Sequence, residues 1–318
     1  MRIIWLYKAL IGVIALCVIF LLGCSQAQKD QESGLGHALI KPHLPAELSP
    51  QHYPPAGFVF SGFRYEGLPE ARYGVASPPV KPRAHFLILA EPGLPSESYF
   101  SLMPYYLRSG MSVWIYEPAG QGGAGKFQSQ GNKISYGHAV NPNHALKAFI
   151  DEVIKPDQET PLYIFGMEGS GLWAISLIRS EITPLIKGVV VLDPYVSITE
   201  NRPVFQRDMV LTKPRDQIAH VWQIYNPDLR LSQKSSQIII EEEQRVKRLV
   251  APKVPNISLP SQKKVQLIWI TSEMKTLKAQ SDLCQSLGSC DFHSDLVGEA
   301  AYEKSAERIA YHRDALHK

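Results

Sequence analysis

The chain reads as an α/β protein, a mostly parallel, doubly wound sheet with a short inserted cap. Three observations carry that reading. Short apolar runs alternate with amphipathic helical segments from residue 57 onward. Several of those runs are continuous rather than alternating, as strands covered on both faces must be. One long excursion, about 198–263, interrupts the alternation between two late strands.

The expected strands follow in order: FVFSGFRYEG (58–67), HFLILAE (85–91), SVWIYE (112–117), LYIFG (162–166), GVVVLD (188–193) and VQLIWIT (265–271). Between them lie the helical segments SYFSLMPYYLRSG, closing on Gly110, NHALKAFIDEVIK, stopped by Pro156, and SGLWAISLIRS. The last helix is EKSAERIAYHRDALHK. The excursion carries IIIEEEQRVKRLV, an amphipathic helix with a solvated charged face, and returns through Pro-rich APKVPNISLP. Inserted above the carboxyl edge of a parallel sheet, it reads as a cap over the place where such sheets bind ligands.

The amino terminus sets the compartment. Arg2 and Lys8 flank an uncharged apolar stretch, ALIGVIALCVIFLL, of signal-peptide length. Leu21-Leu22-Gly23-Cys24 resembles the lipobox of bacterial lipoproteins. That resemblance implies cleavage after residue 23, a lipid on Cys24 and, with Ser25 following, sorting to the outer membrane. The alternative, an uncleaved anchor, would leave a stretch only just long enough for a thin bilayer. Residues 24–56 are polar, Pro-rich and without period, and are expected to form a flexible tether.

The formal charge of the whole chain is +3, and loss of Arg2 and Lys8 leaves about +1. Such a balance gives no footprint for nucleic acid. The mature chain of roughly 295 residues is enough for one substantial domain. With Cys17 in the signal and Cys24 lipidated, Cys284 and Cys290 remain; in an oxidising periplasm LCQSLGSC reads as a disulfide across a helix-to-strand loop.

Several segments together resemble the α/β-hydrolase superfamily, in its bacterial lysophospholipase and monoacylglycerol lipase branch. LILAEPGLPSESYFSLMPYYLRSGMSVWIYEPAGQGGAGKF (87–127) is similar to that branch's oxyanion loop, helix, strand and glycine turn. YGHAVNPNHALKAFIDEV resembles its next segment and helix, and IYNPDLRLSQKSSQIIIEE its return from cap to body. The resemblance spans residues 57–318 and implies a serine at a strand-to-helix elbow, an acid in the loop after the strand VQLIWI and a histidine between the last strand and the last helix.

All three positions depart from the pattern. The elbow frame, small-x-nucleophile-x-small, falls on Gly166-Met167-Glu168-Gly169-Ser170 and puts Glu168 at the apex. Moving the frame to Ser170 places Glu168 and Leu172 where small residues belong. The acid position falls on Met274, with Glu273 one residue early, and GEAAYEKSAE puts Tyr302 at the histidine. A tyrosine, with an ordinary pKa near 10, is a poor base at neutral pH. His293, on or beside the last strand, and His312, in the terminal helix, read as packing or surface residues.

The oxyanion loop carries Glu91 before Pro92-Gly93, and the glycine turn has become Glu117-Pro118-Ala119-Gly120-Gln121-Gly122, without its arginine. GQGGAG (120–125) lacks the Lys-Ser/Thr ending of a phosphate loop. No Cys/His set has zinc spacing, and no cofactor is implied. The expected function is therefore a lipid-anchored, catalytically degenerate hydrolase fold. It would bind an envelope protein partner or a lipid-like ligand at the periplasmic face of the outer membrane. The alternative is an ester or lysolipid hydrolase using Glu168.

Overall fold

A computed structural model describes residues 37–66, 68–91, 93–126, 142–179, 185–194, 205, 207–208, 210–211, 213–230, 266–271, 277–286, 290–294 and 298–316. Its centre is an eight-stranded sheet: β1 (Val59–Phe63), β2 (Ala71–Ala76), β3 (Ala84–Leu89), β4 (Met111–Glu117), β5 (Leu162–Met167), β6 (Ile186–Leu192), β7 (Gln266–Thr271) and β8 (Cys290–Ser294). The spatial order is β1-β2-β4-β3-β5-β6-β7-β8. β1 and β2 enter antiparallel, and every pair from β4 to β8 is parallel. The helices are α1 (Met103–Arg108), α2 (Pro142–Phe149, continued as a π turn over Ile150–Ile154), α3 (Glu168–Arg179), α4 (Pro214–Tyr225), α5 (Leu277–Ser286) and α6 (Gly298–Leu316).

Alternation along the strands divides the core in two. Leu87, Leu89, Leu162, Ile164, Val189 and Val191 face one way, onto Phe149 of α2 and Leu172 and Ile175 of α3. Phe86, Ile88, Tyr163, Phe165 and Val190 face the other way, onto Met103 and Tyr106 of α1, Trp222 of α4 and Ile309 of α6. Both faces are buried, which is why these strands read as unbroken apolar runs.

Two strands and two helices extend the sequence-based outline. β2, sequence ARYGVA, hides its strand character because Arg72, fully buried, stands where an apolar residue is expected. α4 lies within the expected cap, whereas IIIEEEQRVKRLV lies outside the described residues. α5 and β8 are joined by a disulfide between Cys284 and Cys290, whose Cα atoms are 5.7 Å apart.

The stretch expected as a flexible tether differs. Its residues 37–56 lie on the body: Ala38 is buried, Leu39, Leu48 and Tyr53 pack against the core, and the Leu39 N–H donates to Gly123 O at 2.5 Å. A segment without period can still dock through isolated apolar side chains and main-chain hydrogen bonds, which leave no periodic signal.

A buried ion cluster fixes the loops at the carboxyl ends of β3 and β4. The Arg72 guanidinium donates to Glu97 through Nη2–Oε1 at 2.5 Å and Nη1–Oε2 at 3.3 Å, and to Glu117 Oε2 at 3.3 Å. All three side chains have no exposed surface. Arg72 also lies over the Phe60 ring, Cζ 3.5 Å from its centroid. Glu117 accepts the main-chain N–H of Ser96 at 2.5 Å and of Gly123 at 2.9 Å. Only glycine fits at 123, because a Cβ there would lie 2.4 Å from Arg72 Nη1.

Two carboxylates share one buried cation, so removing the cation is the costly change. Arg72→Met is expected to lower unfolding free energy by about 3–5 kcal/mol, read by urea denaturation. Burial pushes the Glu97 carboxyl above its ordinary 4.5, Arg72 opposing it and Glu117 adding to it. A raised folded-state pKa means stability falls as pH climbs past about 4.5. Glu97→Gln is expected to flatten that fall and to leave stability at pH 7 within about 1 kcal/mol, at the scale of one neutral hydrogen bond.

Candidate functional site

The candidate site forms where β5 runs into α3. The strand ends at Met167 and the helix starts at Glu168 with no intervening loop. So abrupt a reversal needs a left-handed residue at the junction, and Glu168 supplies it at φ 50°. A non-glycine residue there carries about 1–2 kcal/mol of strain. The neighbours must be small: a Cβ on Gly166 would fall 2.3 Å from Ser170 O, and one on Gly171 would press Pro194 at 3.3 Å. This is the geometry of an elbow with its apex at Glu168.

Ser170 is not an alternative apex. Its hydroxyl is buried, donates to Met167 O at 2.9 Å and accepts the Met167 N–H at 3.0 Å. It closes the first helical turn on itself.

The Glu168 carboxylate, with its side chain only 6% exposed, is held by two cations from the cap. Lys213 Nζ lies 2.7 Å from Oε1 and Arg215 Nη2 lies 3.0 Å from the same oxygen. Arg215 is also paired to Asp216 at 3.1 Å. Burial, the largest single effect, would lower the Arg215 pKa, but the charge of Glu168 and its hydrogen bond, with Tyr99 and Asp216, together outweigh it and hold the guanidinium above its ordinary value. Lys213 follows the same logic: desolvation lowers its pKa, and its hydrogen bond and charge interaction with Glu168 raise it further than burial lowers it. Both cations sit at the start of α4, where Pro214 opens the helix, so one rigid element delivers them together.

The amino end of α3 is occupied by a second carboxylate. Glu91, fully buried at the end of β3, accepts the Ser170 N–H through Oε2 at 2.7 Å, and its own N–H donates to Tyr99 Oη at 2.7 Å. Helix amino termini attract anions because their first N–H groups lack intrahelical partners and carry the positive end of the dipole. Here the chain supplies that anion itself. Burial, with Glu91 and Glu168 adding to it against Arg215, drives the Tyr99 phenol well above its ordinary pKa, so it stays a neutral donor and acceptor.

The glycine turn behaves in the same way. In GQGGAG the Gly123 N–H donates to Glu117, so this donor of the turn is met from within the chain. The arginine missing from the turn is met by Arg72, which arrives from β2 instead.

Other candidates sit elsewhere. Tyr302, expected in the loop before the last helix, lies inside α6, which begins at Gly298 because GEAAYEK continues a helix-favouring composition. Its ring meets Tyr105 of α1 edge-on at 6.3 Å, a helix-packing contact. His293 is on β8, with Nε2 3.2 Å from Asp291. His312 hydrogen-bonds the Tyr163 hydroxyl at 3.2 Å, its pKa lowered by burial and by Lys187. Met274, Glu273 and Cys24 lie outside the described residues.

Lys213 and Arg215 are the site residues that sequence reasoning did not single out. The signal was weak: a Lys-Pro-Arg-Asp run (213–216) inside the cap reads as an ordinary solvated helix start. Asp193 is another. It follows β6 at φ 44° and its Oδ1 accepts from Thr271 Oγ1 at 3.0 Å, tying the ends of β6 and β7 together. Among the described residues no cluster of His, Cys, Asp and Glu has metal-binding geometry. No described helix is long and apolar enough to cross a membrane.

No family model and no curated protein sequence matches the chain. Solved structures do. It is similar to a soluble variant of monoglyceride lipase from Saccharomyces cerevisiae bound to a substrate analogue, at 12% identity and TM-score 0.56, over 86% of this chain and 97% of that one. It is similar to the hypothetical protein PA2218 from Pseudomonas aeruginosa, at 12% identity and TM-score 0.57, over 87% and 99%. A monoacylglycerol lipase from Paleococcus ferrophilus aligns at 16% identity and TM-score 0.50, over 75% and 98%. Likeness at this identity speaks for fold alone, and with the strand order and helix placement above it establishes that the chain has the α/β-hydrolase fold.

Proposed function

We propose that the chain is a catalytically degenerate α/β-hydrolase, lipid-anchored through Cys24 at the periplasmic face of the outer membrane. It acts as a binding or assembly component of the cell envelope, on a protein partner or a lipid-like ligand. The observation that carries this reading is internal neutralisation. The carboxylate at the elbow is paired with Lys213 and Arg215, and the helix end behind it is filled by Glu91.

Hydrolysis through an ester intermediate requires three things of such a site. The nucleophile must present a lone pair, a base must activate water, and N–H donors must meet the developing oxyanion. Glu168 is drawn into a double ion pair, which lowers its nucleophilicity. The residue aligned with the family's histidine is Tyr302, a poor base packed between helices. Glu91, which takes the Ser170 N–H one residue beyond the donor such an elbow uses, sets a second buried carboxylate near the apex, and its charge would oppose a developing oxyanion. A lipid-like ligand is favoured within this reading because two of the solved structures of similar fold are monoglyceride or monoacylglycerol lipases. The envelope location rests on the amino-terminal pattern ending in Leu21-Leu22-Gly23-Cys24.

Turnover decides the catalytic half of the proposal. The mature chain, carrying Cys24→Ser for solubility, is expected to hydrolyse p-nitrophenyl butyrate and lysophosphatidylcholine no faster than buffer. Activity in that protein, abolished by Glu168→Gln, would establish Glu168 as a nucleophile or base and overturn the reading. The location has its own measurement. In a Gram-negative host the intact precursor is expected to take up radiolabelled palmitate and to fractionate with outer membrane, and Cys24→Ser is expected to lose both.

A further inference from the structure

The helix that closes over Glu168 is fastened at its other end by the segment nearest the membrane anchor. At its start, Lys213 and Arg215 grip the Glu168 carboxylate. At its finish, Tyr225 Oη donates to Glu47 Oε1 at 3.0 Å, and Asn226 engages the main chain of His43 on both sides. The His43 N–H donates to Asn226 Oδ1 at 2.6 Å, and Asn226 Nδ2 donates to His43 O at 2.8 Å. Asn226 is buried and His43 exposed, so this two-way bond is partly shielded from water. Tyr53 closes the contact, its ring edge-on to buried Trp222 at 6.3 Å.

We propose that residues 38–53 are a latch on α4, and that releasing them loosens the grip of Lys213 and Arg215 on Glu168. α4 has twelve residues and is about 18 Å long. A helix of that length moves largely as one body, so its two ends share their fate. The latch is held by individual contacts rather than by a ladder: Leu39 N–H to Gly123 O, Ala38 N–H to Glu70 Oε2 at 3.1 Å, the bonds to Asn226 and Tyr225, and the apolar packing of Leu39, Leu48 and Tyr53. It contributes no strand to the sheet, so it can leave without breaking a ladder.

Position gives the latch its meaning. Residue 37 is thirteen residues from Cys24, a reach of at most about 45 Å. If the anchor is lipidated as proposed above, any event at the membrane that pulls on or captures this segment acts on α4. The inference rests on the reading of Glu168 as an occluded apex, and it concerns exposure of the site rather than turnover.

Native-state hydrogen exchange on the full chain in detergent micelles tests it. Asn226→Ala is expected to speed amide exchange about tenfold in residues 38–53, and by a similar factor at the start of α4 and at the elbow. The reverse perturbation, Lys213→Ala with Arg215→Ala, is expected to speed exchange in 38–53, because coupling between two sites is reciprocal. Amides of β5 and β6 are expected to stay unchanged in both. If Asn226→Ala disturbs those strands, Tyr225→Phe and Glu47→Ala, which each delete the exposed hydrogen bond between these two residues, supply the same comparison at lower amplitude. Acceleration confined to the perturbed end, in either direction, overturns the latch. Ester turnover appearing in a released variant would overturn the non-hydrolytic reading while supporting the latch, so the two failures are distinguishable.

Discussion

Main-chain N–H groups that converge on one point demand an anion, and in this fold the chain supplies its own. The start of α3 and the turn after β4 each present main-chain N–H groups of the kind that elsewhere receive phosphates, carboxylates or oxyanions. Here Glu91 accepts from the first and Glu117 from the second, at 2.7 and 2.9 Å. A buried carboxylate with good geometry removes the orphaned donors and fixes the loops that carry them. It also ends their availability to anything else.

Most of the remaining electrostatics follows from that choice. Glu91, Glu97, Glu117 and Glu168 all lie buried around the carboxyl ends of β3, β4 and β5. Four carboxylates cannot be buried together without cations to meet them. Arg72 is delivered from β2, and Arg215 and Lys213 from α4. The need for Arg72 explains a charged residue within a strand, and the need for Arg215 explains why the start of α4 lies on the elbow. An ordinary surface ion pair contributes little, but these are mostly desolvated and hydrogen-bonded, and each holds two elements together.

Much of the fold was legible because its signals are local. Leu87–Leu89, Ile164 and Val189–Val191 belong to apolar runs whose meaning does not depend on distant partners, and local patterns of this kind placed six of the eight strands. The elbow was legible too, since Gly166-Met167-Glu168-Gly169-Ser170 fits the frame by itself, and the close approach of Ser170 O explains the glycine at 166. What escaped was non-local. Arg72 conceals β2 because its burial makes sense only with Glu97 and Glu117, 25 and 45 residues away. Lys213 and Arg215 look like a solvated helix start until the cap is folded onto Glu168. Residues 38–53 read as tether because each of their contacts is made by a single residue, with no repeat for a periodicity argument to detect.

Glu168 itself can be understood without reference to catalysis. The β5–α3 junction requires a left-handed residue whatever side chain stands there, because strand and helix meet without a loop. Glycine would meet that requirement with the least strain. Glutamate keeps the strain and adds a carboxylate that must then be neutralised, so its side chain has to contribute something glycine cannot. The contribution on display is the pairing with Lys213 and Arg215, which ties α4 to the end of β5 across 45 and 47 residues of chain. A serine at this apex could not reach out to draw two cations onto one oxygen. The longer, charged side chain makes the apex of the elbow an anchorage for the element above it.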